Sequence, residues 1–337
     1  MKAVQIPEPG AEFEVVDRDV PEPEANEVRV AVEACGICHS DAFVKEGQWP
    51  GVEYPRVPGH EVAGRVDAVG EDVTEWEEGE RVGVGWHGGH CFTCEACRRG
   101  DFIACENAQV TGFDYDGGYA EYLTAPREAL AKVPDELDAV DAAPLLCAGI
   151  TTFNSLRNSD ARPGDLVAVQ GVGGLGHLGI QYAYEAGFET VAVSTSPEKE
   201  DLAYELGADH FIDASEADAG EELQSMGGAK VVLATAPSAD AMSSIADGVG
   251  VDGKLLTIAV PGEPLSVDVQ PLVTGRRSVG GWPSGTPHAS EDTLDFSALR
   301  DVTPKVETFS LDEAEEAYAA MMENEVRFRS VLVPDSE

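Results

Sequence analysis

Positive charge is scarce in this chain: Lys and Arg number 22 against 63 Asp and Glu, only 7 of the 22 are Lys, and the formal net charge is -41. Such a surface repels duplex nucleic acid and anionic membranes, so neither is expected as a partner. Long apolar runs are missing too. No stretch reaches the roughly 18 residues that span a bilayer. Met1 to Ile6 is a short alternating run ending at Pro7, not a basic leader followed by an apolar core. These absences point to a cytoplasmic protein. No internal repeat or low-complexity linker is visible. Cysteine is sparse, with 7 in 337 residues, and in a reducing compartment these read as metal ligands rather than disulfides.

What remains is ordinary material for a folded chain. A hydrophobic content of 43% and this length suffice for two domains with separate cores. The acids are interspersed, as in Glu71-Asp72-Val73-Thr74-Glu75-Trp76-Glu77-Glu78, which reads as a solvated surface rather than an acidic tail. At molar salt the Debye length shrinks to roughly 3 Å and the self-repulsion is screened. The composition therefore predicts a salt-rich cytoplasm.

The chemistry concentrates in Cys35 to Glu61, which opens on Cys38-His39-Ser40-Asp41 and closes on Gly59-His60-Glu61. A thiolate and an imidazole suit zinc, and a catalytic zinc takes three protein ligands with the fourth position open. Cys147, in Pro144-Leu145-Leu146-Cys147-Ala148-Gly149, is the evident third. Trp49 and Trp86 lie near these segments and are candidates for a pocket wall, or for ordinary core. Around them the first half reads as short strands broken by Gly and Pro: Lys2 to Ile6, Glu27 to Ala34, Glu61 to Val69, Arg81 to Gly85 and Ala120 to Ala125.

A second cysteine group, Cys91, Cys94, Cys97 and Cys105, has the spacing C-x2-C-x2-C-x7-C. Four thiolates so close in sequence can close around one zinc and leave no position for chemistry, or hold an iron–sulfur cluster. Cys35 is left over and expected to be buried.

From about Asp141 the texture changes. Leu166 to Gln170 reads as a buried strand, Gly171-Val172-Gly173-Gly174-Leu175-Gly176 as a tight turn and His177 to Ala186 as a helix. In that setting the glycines let the backbone approach a pyrophosphate at the helix N-terminus. Strand and helix signals then alternate through Val191 to Val193, Glu198 to Leu206, Val231 to Ala234 and Leu255 to Val260, which predicts a doubly wound parallel sheet. An NAD site usually has an acid at the end of the second strand, where this chain has Ser194, followed by Thr195, Ser196 and, shortly after, Lys199. Hydroxyls with a nearby lysine suit a 2'-phosphate instead, so NADP is favoured over NAD. Leu311 to Met322 reads as a helix and Val326 to Val333 as a closing strand.

Together these segments resemble the zinc-dependent alcohol dehydrogenases of the medium-chain dehydrogenase/reductase family, over nearly the whole chain. The resemblance implies an α/β protein: a GroES-like β-barrel catalytic domain at 1–142 and 285–337, with a structural-zinc lobe at about 88–107, and a Rossmann dinucleotide-binding domain at 143–284. It implies two zinc ions per subunit, a catalytic one on Cys38, His60 and Cys147 with Glu61 able to approach, and a structural one on Cys91, Cys94, Cys97 and Cys105. Ser40 matches the hydroxyl that relays the alcohol proton, and Asp41 the carboxylate behind the zinc-binding histidine. His39 and Arg329 match positions that meet the cofactor pyrophosphate; for Arg329 a surface salt bridge is the competing reading. Serine-rich segments like that at Ser194 accompany NADP preference in the family. Phe43 departs from the pattern, since better-known members carry a histidine there that ends the proton route; the route here is expected to finish on a cofactor ribose hydroxyl and water. The implied reaction is reversible oxidation of an alcohol to an aldehyde or ketone with hydride transfer to NAD(P), by a homodimer or homotetramer acting on a small molecule. A polyol or sugar dehydrogenase on the same fold is the alternative, though such enzymes often replace the Cys147 ligand with an acid. A zinc-binding structural or regulatory module without catalysis is a reading from another class.

Overall fold

In the first half Val28, Val30, Val32 and Ala34 alternate with Arg29, Ala31 and Glu33, and the computed structural model, which describes residues 1–334, makes them the inward face of the strand Glu27–Gly36. Burying each valine contributes roughly 1.5 kcal/mol or more, so a one-residue slip of this strand is strongly disfavoured. The strand is central to a seven-stranded sheet that runs in the order Val306–Ser310, Arg329–Val333, Glu27–Gly36, Val62–Val69, Arg81–Val84, Leu130–Lys132, with Tyr122–Pro126 also paired to Glu27–Gly36. All pairings are antiparallel except that of the first two strands. Its core joins Val28, Val30, Val62, Val66, Val82, Val84, Tyr119 and Leu123.

This sheet belongs to one compact unit, Met1–Ile150 together with the chain from Gly285 onward; Thr151–Ser284 forms the second. The sequence reading divides the chain at residue 142, whereas the first unit extends to Ile150 because the helix Ala139–Pro144 packs against Glu27–Gly36. The second unit is a six-stranded, all-parallel sheet in the order His210–Asp213, Glu189–Ser194, Leu166–Gln170, Ala229–Ala234, Val249–Thr257, Ser278–Gly281. That is the doubly wound order, with the ligand crevice expected where the first strand reverses the progression. The helices Gly176–Glu185, Glu200–Glu205, Ala219–Ser225, Ala239–Ile245 and Val269–Gly275 alternate with these strands.

Several elements differ from expectation. The strand read as Leu255 to Val260 runs over Val249–Thr257, with a register shift opposite Ala229 and Val231 and a left-handed Asp252. The closing strand begins at Arg329, not Val326. A 14-residue helix, Pro287–Arg300, was not anticipated. Its buried Thr293 and Ser297 donate hydroxyls to Ala289 O and Thr293 O at 2.7 Å each, so the inward face carries no apolar stripe to read.

Candidate metal centres and dinucleotide turn

Cys38 follows the central strand, in the loop that ends at the short helix Asp41–Lys45. His60 and Glu61 immediately precede the neighbouring strand Val62–Val69. Cys147 comes from a π-helical turn, Leu145–Gly149, that continues the helix ending at Pro144; such turns recur at functional sites because the wider winding re-aims a side chain. This turn lies directly on the strand Arg81–Val84, where a Cβ on Gly83 would stand 2.5 Å from Leu146 Cδ1. A side chain there would force Leu146 to move.

One donor atom from each of Cys38, His60, Glu61 and Cys147 lies within 4.8 Å of all the others. The Cys38 and Cys147 sulfurs are 3.8 Å apart. A disulfide needs about 2.05 Å, whereas two thiolates on one tetrahedral zinc, at about 2.3 Å each, stand about 3.8 Å from one another. The spacing matches the metal. His60 is completely buried, and its Nε2 has no hydrogen-bond partner among the described residues. Its Nδ1 lies 3.1 Å from Asp41 Oδ1, in electrostatic contact but off the hydrogen-bond axis. A buried ring nitrogen without a partner costs about 1–3 kcal/mol, and a cation among these donors removes that cost.

The four donors perturb one another strongly. The hydrogen bond between the two sulfurs drives the Cys38 thiol well below its ordinary range and, with burial, pushes Cys147 well above it. Burial pulls the His60 imidazole down, but the Asp41 carboxylate and the Cys38 sulfur outweigh it and hold it high. Burial raises Glu61 to about 7 against the pull of Arg329. Arg329 is itself buried: its Nη2 donates to Ile37 O at 3.0 Å and is ion-paired with Glu61 Oε1. It is therefore not a surface residue, and its guanidinium sits beneath the cluster. Ser40 is partly exposed and His39 exposed, both beside Cys38 in the chain. Cys35 is fully buried, as expected, with its thiol pushed up by burial.

Aromatic rings close one flank. Trp86 meets His60 edge-on with centroids 5.0 Å apart, Phe113 packs 4.9 Å from Trp86, and Trp49 packs 5.3 Å from Phe113. Phe43 joins this group 6.5 Å from Trp49. Sequence reasoning named Trp49 and Trp86 but not Phe113, whose spacing to the cluster carries no local signal.

Cys91, Cys94, Cys97 and Cys105 also converge within 4.8 Å. Cys91 and Cys105 sulfurs are 3.6 Å apart and Cys94 and Cys105 sulfurs 3.9 Å, again the separation of thiolates around zinc. The backbone N–H groups of Cys94 and Asn107 donate to the sulfurs of Cys91 and Cys105 at 3.4 and 3.3 Å. The hydroxyl of Thr93, foremost among several donors, holds the Cys91 thiol down at about 5, while burial raises Cys97 to about 12.

In the second unit, Gly171 has φ +99°, and a Cβ on Gly176 would fall 1.8 Å from Gly171 O, so the turn closes only with glycine at both positions. Gly173, Gly174 and Leu175 are partly exposed at its crest. Lys199 Nζ donates to Val172 O within the turn at 2.9 Å. Ser194 is buried with its Oγ accepting from Ser196 N–H at 3.1 Å, and Thr195 is exposed.

Residues 24–135 match the family of alcohol dehydrogenase GroES-like domains, and residues 174–298 match the zinc-binding dehydrogenases. An alcohol dehydrogenase of Penicillium expansum is 47% identical over 92% of this chain and 91% of its own length. Among solved structures, a NAD-dependent alcohol dehydrogenase superposes with TM-score 0.91 at 28% identity, covering 99% of both chains. The CAD from Helicobacter pylori complexed with NADP(H) superposes with TM-score 0.87 at 26% identity, covering 98% of this chain and 97% of that one.

Proposed function

From the premise that this chain belongs to the zinc-type alcohol dehydrogenases of the medium-chain family, we propose that Cys38, His60 and Cys147 hold the zinc at which it oxidises an alcohol reversibly to an aldehyde or ketone. The observation that carries this is the buried His60 Nε2, without a hydrogen-bond partner among the described residues, beside two sulfurs at metal spacing. When bound, zinc supplies a Lewis acid that lowers the proton affinity of the substrate oxygen. When bound, the nicotinamide supplies the hydride acceptor. Asp41 holds His60 from the Nδ1 side, so that Nε2 is the ring nitrogen offered to the metal. Ser40 Oγ would accept the alcohol proton while passing its own hydroxyl proton onward, toward a cofactor ribose hydroxyl and water. Phe43, Trp86 and Phe113 keep water from one flank and favour small apolar substrates. Glu61 waits behind the cluster, held by Arg329, to approach the metal during ligand exchange. The Cys91, Cys94, Cys97 and Cys105 set holds a second, structural zinc.

For the cofactor, the backbone from Gly171 to Gly176 receives the pyrophosphate at the N-terminus of the ten-residue helix that Gly176 opens. Ser194, Thr195, Ser196 and Lys199 favour NADP over NAD through a 2'-phosphate; a higher kcat/KM with NAD would overturn that preference. Solved relatives of both kinds exist, so the measurement is informative. The interspersed excess of acids fits a salt-rich cytoplasm, and the thermal midpoint is expected to rise with added KCl. The sheet edge Ser278–Gly281 and the exposed Val260, Val269 and Val273 suit pairing with a second copy; sedimentation as a monomer under assay conditions would refute it.

The central experiment follows NAD(P)H absorbance with a panel of small alcohols and aldehydes at molar salt, on protein whose zinc has been counted. Turnover with two zincs per chain is expected; no turnover across the panel with both zincs present would favour a non-catalytic zinc module. With Phe43 in place of a relay histidine, the pH profile of kcat is expected to lack an imidazole inflection. Such an inflection surviving His39→Asn would count against that route.

A further inference from the structure

Asp41 is the buried carboxylate behind His60, and its own partners decide what it can do. The side chain has no exposure. An isolated carboxylate there would be costly, so its donors define its orientation. Oδ2 accepts two: the backbone N–H of Cys38 at 2.8 Å and the phenol of Tyr119 at 2.9 Å. Oδ1 has no hydrogen-bond partner among the described residues and lies 3.1 Å from His60 Nδ1. With one oxygen saturated by two fixed donors, the other is turned toward the imidazole. Tyr119 is a rigid support for this. It is fully buried, its backbone N–H donates to Pro58 O at 3.0 Å and its carbonyl accepts from Val4 N–H at 2.7 Å. Its ring packs 6.0 Å from Phe13. Burial pushes the phenol well above its ordinary range, so it stays a donor at any working pH.

We propose that Tyr119 is a positioning residue of the metal centre: its hydroxyl fixes the Asp41 carboxylate, which stays turned to His60 Nδ1 and keeps the ring in the orientation that binds zinc. The proposal rests on the zinc site assigned above. Partners behind a metal ligand typically change metal affinity 10–100-fold when removed. Tyr119 stands one step further back, which places its effect at the lower end.

The test compares the parent protein, Tyr119→Phe, Phe13→Leu and Asp41→Asn, each loaded with two zincs and challenged with a chromophoric chelator. In Tyr119→Phe, one of the two zincs is expected to leave about tenfold faster while the other is unchanged. The cobalt(II)-substituted enzyme should show a shifted d–d spectrum for that site only. Phe13→Leu, which loosens the same ring contact but spares the hydroxyl, should release zinc as the parent does. Tyr119→Phe added to Asp41→Asn should have no further effect. Parent-like release and spectrum in Tyr119→Phe, equal acceleration in Phe13→Leu, or additivity with Asp41→Asn would each overturn the proposal. A parent protein that holds no zinc on Cys38, His60 and Cys147 would sink the site assignment itself.

Discussion

The two cysteine groups of this protein are built to opposite plans. Cys91, Cys94, Cys97 and Cys105 come from one short stretch, with Cys91 and Cys94 partly exposed and Cys97 and Cys105 buried, and their sulfurs accept from backbone N–H donors. Cys38, His60 and Cys147 come from three distant segments, the first two from the loops that flank the strands Glu27–Gly36 and Val62–Val69 and the third from a π-helical turn, and the ring of Trp86 meets His60. Charge explains the division. A divalent zinc with four thiolates carries a formal -2, which is tolerable only near water and amide donors. With two thiolates and a neutral imidazole the sum is zero, and a neutral set can be buried. Burial is then what makes an open coordination position chemically useful, because water no longer screens what binds there.

The largest effect that could break this comparison is on turnover. Cys147→Ser is expected to lower kcat/KM by about three orders of magnitude, on the order of 4 kcal/mol, with the thermal midpoint changed by only a few degrees; activity within tenfold of the parent would show that the buried cluster is not the reacting centre. Cys97→Ser should do the reverse. One zinc is lost, protease cuts appear within 88–107, and unfolding free energy drops by about 3 kcal/mol, while the remaining folded molecules keep their catalytic zinc. If Cys97→Ser abolished turnover without loosening the lobe, the two plans would not be separable.

Legibility followed the same division. The all-thiolate lobe could be read because its donors are neighbours in the chain, and the strand, turn and helix from Leu166 onward because the glycine pattern and apolar run coincide with their elements. The alternating valines placed Glu27–Gly36 within two residues of its end. Arg329 shows where the reading stopped. Its position in the closing strand was recognised, but its burial against Glu61 depends on a pairing of segments 268 residues apart. Nothing in Gly117-Gly118-Tyr119 marks a phenol that ends on Asp41. The helix Pro287–Arg300 escaped for a different reason: its buried hydroxyls satisfy themselves within the helix and leave no apolar periodicity.

A smaller effect sharpens the comparison at the exposed lobe's base. His87 is buried, its Nε2 is 3.0 Å from His90 Nδ1, and burial together with His90 lowers its imidazole to about 4. In the unfolded chain an imidazole titrates near about 6.5. Between those values the unfolded state binds more protons than the folded one, so stability rises with pH there: the contribution is fully present above about 6.5 and is lost as pH falls toward 4. From pH 7 to pH 5 the loss attributable to His87 is at most about 2 kcal/mol. Chemical denaturation at the two pH values, in the parent and in His87→Gln, isolates it from the titrating carboxylates. The parent should lose more stability over the interval than the variant. Equal losses would mean that His87 is not held neutral, and that the lobe's attachment tolerates charge.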